Sequence, residues 1–158
     1  MTGPKKILSQ AKLAALIRRL KFRKKKIVFT NGTFDLLHLG HVKYLQKAKK
    51  MGDVLVVGVN TDRSVKTYKS PDRPLNPQND RIKVLSALAC VDYACLFDEP
   101  TPLKLILRLK PDILAKGADW KKNQIAGAKE VLSWGGKVKR IKLVRGRSTT
   151  RLLERMKA

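Results

Sequence analysis

Two histidines three residues apart give the clearest chemical signal in this sequence. His38 and His41 follow an apolar segment, residues 27–31, and a turn that contains Gly32. At this spacing both imidazoles lie on one face at the start of a helix, where unpaired N–H groups and the helix dipole attract anions. Gly40, between them, leaves the backbone open to a bulky ligand. The strand, turn and helix context favours a polyphosphate site, with imidazole donors to a reacting phosphate, over two histidines that only cap a helix.

Polar side chains also follow the second apolar segment, residues 54–59. Asn60, Asp62 and Lys66 offer an amide, a carboxylate and an ammonium group that suit a phosphorylated sugar. A lysine-rich surface loop without a ligand is an equally simple interpretation, since such loops are common.

A third polar segment, Lys116-Gly117-Ala118-Asp119-Trp120, follows the apolar residues 113–115. Gly117 would let a base approach the backbone, and Asp119 could accept a hydrogen bond from a sugar hydroxyl or a base amine. Trp120 offers a flat apolar face. An ordinary turn is the alternative interpretation.

A second helix terminus near the end of the chain carries three hydroxyls in a row. Ser148, Thr149 and Thr150 come shortly after Gly146. One hydroxyl is enough to cap a helix, so three of them indicate a second anion site, although any serine-capped helix looks partly similar.

Arg81 follows residues 61–78, a segment with three prolines, Pro71, Pro74 and Pro77, which we call the proline segment. The planar fork of Arg81 could clamp a phosphate with two hydrogen bonds. A solvated helix residue is the alternative.

Apolar strand segments that alternate with helical ones must position these groups. This alternation predicts an α/β fold: a Rossmann-like three-layer sandwich with a mainly parallel five-stranded sheet, helices on both faces and a crevice at the carboxyl ends of the strands. Gly52 is predicted to end the second helix in the left-handed conformation. The predicted helices are 9–22, 39–50, 81–89, 102–109, 126–134 and one from Ser148 onward; the strands are 27–31, 54–59, 91–97, 113–115 and 138–144; and residues 61–78 are predicted as a loop.

Length and composition indicate one globular domain over residues 1–158, with a helical lead-in at 1–25 and a core at 26–158. The sequence has 158 residues, of which 43% are hydrophobic. No apolar run reaches the roughly 18 residues that a membrane span needs, and the first residues do not read as a secretory leader. We therefore expect a cytoplasmic protein that does not bind a membrane.

The charge is unusual, because 36 Lys and Arg residues stand against 12 Asp and Glu residues, for a net charge of +24. Such a field concentrates anionic substrates and favours salt-sensitive binding to nucleic acid. The charges are scattered along the chain, and no strand alternates them with aromatic residues that could stack on bases. We expect no specific nucleic-acid partner.

The chain resembles the nucleotidyltransferases that carry a His-x-Gly-His signature, and within them the D-glycero-β-D-manno-heptose 1-phosphate adenylyltransferases. The similarity covers residues 9 to 157. The signature identifies only the superfamily, whereas the proline segment and the Ala-Gly segment are typical of the heptose branch. The residues that carry the similarity include Phe29-Thr30-Asn31-Gly32-Thr33-Phe34-Asp35 with His38 and His41, Arg73-Pro74-Leu75-Asn76-Pro77, Ile125-Ala126-Gly127, and Gly146 with Ser148-Thr149-Thr150.

This resemblance implies transfer of AMP from ATP to a heptose 1-phosphate, with release of pyrophosphate. It implies a homodimer, and Mg²⁺ held mainly by the ATP phosphates. The implied catalytic residues are His38, His41 and Arg81; the implied ATP-binding residues are Thr33, Phe34, Lys116, Gly117, Asp119, Ser148, Thr149 and Thr150; and the implied sugar-phosphate residues are Asp35, Asn60, Asp62 and Lys66.

Two other functions stay open from the sequence. Glycerol-3-phosphate cytidylyltransferases share much of the pattern, but they have an arginine three places before the final glycine, where this chain has Leu143. A basic nucleic-acid-binding protein on the same fold would need only charge, so the presence of His38, His41 and Ser148 argues against it.

Overall fold

In the computed structural model, which describes residues 5–146 and 148–157, the strands form one parallel sheet in the order β3-β2-β1-β4-β5. Every pairing between neighbouring strands of this described sheet is parallel. The chain order reverses between β1 and β4, which makes the gap between these two strands the switch point of the sheet. The strands are β1 Ile27–Gly32, β2 Val54–Asn60, β3 Tyr93–Phe97, β4 Ile113–Gly117 and β5 Lys137–Ile141.

Helices cover both faces of the sheet. Within the described residues they are α1 Gln10–Phe22, α2 Leu39–Lys49, α3 Asp62–Lys66, α4 Gln78–Ser86, α5 Leu103–Leu109, α6 Ala128–Ser133 and α7 Thr149–Lys157, with a short 3-10 helix at Lys122–Gln124. Buried residues of α1, α5 and α6 pack on one face. Buried residues of α2 and α4 pack on the other.

Alternate residues of each strand supply the two cores, because successive side chains of a strand point to opposite faces. Val54 and Val56 belong to the core under α1, α5 and α6. Leu55 and Val57 belong to the core under α2 and α4. A strand buried on both faces reads as a continuous apolar run, which is the pattern of β2 in the sequence. The predicted three-layer α/β fold is confirmed.

The segment predicted as a loop, residues 61–78, contains a helix. Its α3 is short and polar, so no apolar periodicity marks it. The hydroxyl of Thr61 begins this helix by accepting a hydrogen bond from the Ser64 N–H at 3.1 Å. The following helix, α4, begins at Gln78 rather than at 81, directly after Pro77, whose fixed φ suits a helix start.

Gly52 does not adopt the predicted left-handed conformation, and α2 ends with Lys50 in the right-handed region. The glycine is required for space instead. A Cβ there would lie 2.8 Å from Val28 Cγ2 and 2.9 Å from the Lys26 carbonyl oxygen. The chain therefore uses glycine to bring the turn after α2 against the start of β1.

The predicted lead-in is an integral part of one core. Leu13, Ala14 and Ile17 of α1 are buried against the sheet, and Ile7 forms a parallel bridge with Ala94 of the edge strand β3. Among the helices that the structure describes, none combines the length and apolar character needed to cross a membrane.

Candidate functional site

A cavity of about 410 Å³ opens where β1 and β4 end, at the switch point of the sheet. Parallel strands bring the loops after their carboxyl ends to one edge, so segments far apart in sequence meet here. The cavity is lined by Asn31, Gly32, Thr33, Phe34, Asp35, His38, Gly40, His41, Tyr44, Lys69, Arg73, Lys116, Gly117, Asp119, Trp120, Leu143, Val144, Ser148 and Thr149.

The two histidines stack on each other at the start of α2. Their ring centroids are 4.0 Å apart with an interplanar angle of 29°. His38 caps the helix, because its Nδ1 accepts a hydrogen bond from the Gly40 N–H at 3.0 Å. The edge of Phe34 packs against His41 with a centroid distance of 5.4 Å, and Phe34 itself adopts a positive φ of 51°. The turn after β1 thus fixes both imidazoles against one wall of the cavity.

His41 is held in its neutral form. Burial lowers its pKa from 6.5 to about 4, with smaller contributions in the same direction from His38 and Lys69. Within the described residues, its buried Nδ1 has no hydrogen-bond partner. A phosphate in the cavity would oppose the lowered pKa, since a nearby anion favours the charged imidazole.

The start of α7 faces the same cavity as the start of α2. Ser148 and Thr149 line the cavity together with the histidines. The Ser148 Oγ caps α7 by accepting from the Arg151 N–H at 3.2 Å, and the Thr149 Oγ1 donates to the Leu36 carbonyl at 3.4 Å, which ties α7 to the turn before α2. The N-termini of two helices, α2 and α7, therefore line the same cavity, which is an arrangement that favours anions.

The end of β4 forms the opposite wall. The Lys116 Nζ lies 5.2 Å from the centroid of the Trp120 ring, and burial lowers the Lys116 pKa to about 8 against the opposing effect of Asp119. A Cβ on Gly117 would collide with the Asp119 carboxylate. Gly117 therefore lets Asp119 turn back over the strand end into the cavity.

Arg81 lies behind this cavity rather than in its wall. Its side chain is buried, and its donors serve protein oxygens: Nε donates to the Asn76 carbonyl at 2.9 Å, Nη1 to the Thr33 carbonyl at 2.6 Å, and Nη2 to the Asn60 carbonyl at 2.8 Å and to Asp62 Oδ1 at 2.7 Å. The sequence predicted either a phosphate clamp or a solvated residue. The structure has a buried brace that joins the ends of β1 and β2 to the proline segment.

Several other predicted residues lie outside the cavity lining. The Asn60 carbonyl and the Asp62 carboxylate accept from Arg81, and Lys66 is exposed on α3. Asn60 lines instead the adjoining second cavity described below. Thr150 lines a neighbouring cavity with Lys69.

Asp35 is in the cavity lining, but its carboxylate is occupied. Its oxygens accept hydrogen bonds from the N–H groups of Leu75 and Asn76 at 2.9 and 2.8 Å, and Arg73 lies 3.2 Å from Oδ2. This carboxylate pins the proline segment to the end of β1. The same segment brings Lys69 and Arg73 into the cavity. The pKa of Lys69 is lowered mainly by burial and, to a smaller extent, by the positive charge of Arg73.

Sequence reasoning missed several lining residues. Tyr44 is three residues beyond His41, so the helical spacing could have found it; its hydroxyl lies 2.8 Å from the Thr30 hydroxyl, and burial raises its pKa to about 12. Asn31 directly precedes the turn glycine, and its buried Oδ1 has no partner among the described residues. Leu143 was named only as a departure from a family pattern. No sequence signal marked Arg73 as a wall residue.

A second cavity of about 410 Å³ adjoins the first. The two cavities share Asn31, Gly32, Thr33, Lys116 and Trp120 as lining residues. The ends of β1 and β4 thus lie between two cavities. Each cavity could hold one of two reacting molecules.

Comparisons with known proteins agree with this geometry. The profile of the family described as cytidylyltransferase-like matches residues 29–155. The chain is 51% identical over 153 residues to the "Bifunctional protein HldE" of Magnetococcus marinus, which covers 97% of this chain and 31% of that protein. It is 54% identical over 134 residues to the protein of the same name from Syntrophotalea carbinolica, covering 85% of this chain and 27% of that one. This chain therefore spans about three tenths of the length of these curated relatives.

Solved structures show the same fold. A lipopolysaccharide core biosynthesis protein from Thermoplasma volcanium superimposes with a TM-score of 0.62 at 33% identity, over 78% of this chain and 99% of that one. A pantoate-beta-alanine ligase from Francisella tularensis reaches a TM-score of 0.62 at 20% identity, over 88% of this chain and 67% of that one, and shows likeness of fold alone.

Proposed function

This chain belongs to the cytidylyltransferase-like family, and from that premise we propose that it transfers AMP from ATP to a heptose 1-phosphate and releases pyrophosphate. The observation that carries the proposal is the convergence of two helix N-termini, with His38 and His41 on one and Ser148 and Thr149 on the other, on one cavity at the switch point. Such termini bind the phosphates of a nucleotide. The two bifunctional relatives and the resemblance of the whole motif set support the heptose branch.

The reaction needs positioning and charge stabilisation rather than a protein nucleophile. An oxygen of the sugar 1-phosphate attacks the α-phosphorus of ATP, the bond from that phosphorus to the bridging oxygen breaks, and pyrophosphate departs with the bond's electron pair. The attacking phosphate is already ionised at neutral pH. Catalysis therefore consists of alignment and of donors aimed at the pentavalent centre.

The lining residues divide these tasks. His41 is held neutral by burial and can gain a proton when the triphosphate enters. Ser148 and Thr149 sit where the leaving phosphates would meet the start of α7, and Lys69 and Arg73 supply positive charge from the proline segment. Lys116, Asp119 and Trp120 form a wall that suits the nucleoside.

Leu143 favours an adenylyl over a cytidylyl donor. The cytidylyltransferases that the chain resembles carry arginine at this place in the pattern. Here Leu143 is an apolar part of the cavity wall, and its Cδ2 would lie 3.3 Å from a Cβ built on Gly117. An apolar wall can pack against a purine ring, but it cannot donate the hydrogen bonds that an arginine at this position would offer to a nucleotide.

A divalent cation would accompany ATP, and the oxygen donors in the cavity fit one that is held mainly by phosphates. Asp35 is occupied by the proline segment, which leaves the exposed Asp119 as the carboxylate free to contribute. Across residues 5–146 and 148–157, no group of three or more His, Cys, Asp or Glu side chains could hold a metal by itself. The cation, which we propose to be Mg²⁺, would neutralise charge on the triphosphate.

A grid of nucleotides against sugar phosphates tests the function. Pyrophosphate release is measured with ATP or CTP, each with heptose 1-phosphate or glycerol 3-phosphate, in the presence of Mg²⁺. We expect release only with ATP and heptose 1-phosphate. Release with CTP and glycerol 3-phosphate would assign the chain to the cytidylyltransferase alternative. Absence of release in every pair, together with tight salt-sensitive RNA binding, would favour a nucleic-acid-binding protein.

We also propose that the active protein is a cytoplasmic homodimer without a specific nucleic-acid partner. The soluble substrates of the proposed reaction support this location. Light scattering on the eluted protein tests the dimer, and a mass of one chain at micromolar concentration would contradict it.

A further inference from the structure

A third cavity lies at the opposite end of the sheet from the candidate active site. It has a volume of about 610 Å³ and opens where β1, β4 and β5 begin, about one strand length, roughly 17–20 Å, from the carboxyl-end crevice. Its lining contains no histidine and no aromatic residue. Six lysines surround it, and we call it the lysine cavity: Lys21, Lys24, Lys25, Lys26, Lys137 and Lys139.

Backbone geometry sets these lysines around one space. The turn after α1 is closed by hydrogen bonds from the Lys24 N–H to the Lys21 carbonyl at 2.9 Å and from the Lys25 N–H to the Leu20 carbonyl at 3.0 Å, with Lys24 at a φ of 61°. The other side comes from β5, where Lys137 and Lys139 share one face because the side-chain period of a strand is two. Val138 between them packs against the core.

The charge of this cavity is not balanced by the protein. Its lining holds one carboxylate, Asp112, which accepts from the Ile27 N–H at 2.8 Å and pairs with Lys21 Nζ at 3.2 Å. Lys21 also donates to the Lys110 carbonyl at 2.6 Å. The other five lysines form no ion pair with any residue that the structure describes. The nearby Asp53 carboxylate accepts from the backbone N–H of Lys26.

We propose that the lysine cavity binds a compact polyphosphate, a chain of several phosphates recognised by charge rather than through a base. Unpaired ammonium groups in a concave wall focus a positive field and repel one another until an anion enters. Lysine supplies compact point charges suited to phosphate oxygens. Without an aromatic surface the cavity offers nothing for a base to stack on, and its volume lies in the range of small-molecule sites.

Local structure explains only part of this cluster. Lys21 compensates the carboxyl end of α1, where cations are favourable. Lysines on an edge strand such as β5 can also prevent edge-to-edge pairing. Neither role explains why lysines from the turn after α1 and from β5 surround one cavity.

Lysine acetylation footprinting tests the proposal at the residues themselves. Full-length protein is labelled at about 0.15 M salt, where long-range surface charge effects are damped, with and without tripolyphosphate. We expect strong protection of Lys24, Lys137 and Lys139. Lys104, Lys122 and Lys129 are exposed lysines outside the cavity and serve as the reference set. Equal protection of both sets would overturn the proposal, because it would mean diffuse attraction by the net charge.

Matched variants separate this cavity from the active site, which also attracts phosphates. The triple variant Lys24→Gln, Lys137→Gln, Lys139→Gln removes three cavity charges, and Lys104→Gln, Lys122→Gln, Lys129→Gln removes the same number elsewhere. Calorimetry should show two classes of tripolyphosphate site in the wild type. The affinity of the class that belongs to the lysine cavity should fall about tenfold or more in the first variant and not in the second. Both variants should keep the pyrophosphate-release activity. Equal weakening in both variants would overturn the proposal, as would tripolyphosphate binding that the first variant leaves unchanged.

The same footprinting with a short single-stranded RNA tests whether the cavity binds nucleic acid instead. If RNA protected the cavity lysines far more tightly than tripolyphosphate does, the site would be a nucleic-acid site and the proposal would be wrong. Failure of the proposed adenylyl transfer would leave these binding results unchanged, so the two proposals fail separately.

Discussion

At the scale of single residues, His41 combines burial, neutrality and an unpartnered nitrogen at the point where two helix N-termini meet. We propose that an anion in the cavity favours the charged imidazole of His41, which would let this residue stabilise a transition state. His38 is already committed through Nδ1 to the cap of α2. One ring of the stacked pair therefore caps the helix start, and we propose that the other contacts the ligand.

The first residue-scale prediction concerns turnover. His41→Ala removes the available ring, and we expect kcat for pyrophosphate release to fall by about two orders of magnitude, as for other lost transition-state donors. Steady-state kinetics measures it, with circular dichroism to verify the fold. Lys43→Ala, an exposed change on the same helix, is the control and should keep wild-type kcat. Unchanged turnover in His41→Ala would remove His41 from catalysis.

The second residue-scale prediction concerns pH and stability. The folded-state pKa of His41 is lowered to about 4 from an ordinary value of 6.5, so between these values the unfolded state binds a proton that the folded state does not. This contribution of neutral His41 to the free energy of unfolding is fully present above about pH 6.5 and falls as the pH drops, by about 2 kcal/mol at pH 5 and about 3 kcal/mol at pH 4. Urea unfolding of wild type and His41→Gln at pH 7, 6 and 5 measures this contribution.

We expect a shallower pH dependence of stability in His41→Gln than in the wild type. Other groups titrate in the same range, and the comparison between the two proteins isolates His41 from them. Identical slopes would mean that the imidazole remains solvated in the folded protein.

At the scale of elements, the proline segment and the strand ends are joined by two buried charged residues. Arg81 of α4 donates to the carbonyls that end β1 and β2, and Asp35 accepts the N–H groups of Leu75 and Asn76. Together they hold the segment that presents Lys69 and Arg73 to the cavity. We therefore propose Arg81 as a positioning residue for the reaction rather than a ligand of the phosphates.

Arg81→Lys tests this positioning role. A lysine keeps the charge but cannot serve three carbonyls and a carboxylate from one planar fork, so we expect the free energy of unfolding to fall by about 3 kcal/mol. We also expect kcat to fall with it, because the cavity wall loses its anchor. Chemical unfolding and steady-state kinetics give the two readouts. A higher KM for ATP with unchanged stability would instead identify Arg81 as a direct phosphate contact.

The same element scale explains why α7 matters although it is exposed. None of its described residues is buried, yet its first turn lines the cavity and Thr149 donates to the Leu36 carbonyl. Leu152 and Leu153 are half-buried, and further contacts hold the start of the helix. Those contacts are made to the turn that also sets the two histidines.

At the scale of the whole molecule, a net charge of +24 acts on every equilibrium that involves anions or compaction. The field concentrates anions near the protein surface, and self-repulsion among the same charges destabilises the folded state. Both effects are screened by salt over a Debye length of about 8 Å at physiological ionic strength.

Ionic strength should therefore change binding and stability in opposite directions. Between about 0.05 and 0.5 M sodium chloride we expect kcat/KM for ATP to fall several-fold, because steering weakens, while the melting temperature rises because self-repulsion weakens. Initial-rate kinetics and thermal unfolding across the same salt series measure both. A melting temperature that is flat or falls with salt would show that the excess charge is already balanced locally.

The sequence by itself determined the sheet, the helices on its two faces other than α3, and the identity of most cavity residues. Apolar periodicity predicts which faces are buried, and a glycine turn between a strand and two histidines predicts the start of a helix. Both are local patterns, so the positions of residues such as Ile27, Val56 and His38 can be predicted from the few residues that surround them in the sequence. The starts of α2 and α7 were predicted separately from such signals.

Only the tertiary structure decided which of these groups meet and which are already occupied. Arg81 reads as a phosphate clamp until its donors are seen to serve the carbonyls of Thr33, Asn60 and Asn76, residues 5 to 48 positions away along the chain. The lysine cavity likewise joins residues 21–26 to residues 137–139 across the sheet. Hydrogen-bond satisfaction and the sharing of one cavity depend on distances in space between residues far apart in sequence, and no local pattern encodes those distances.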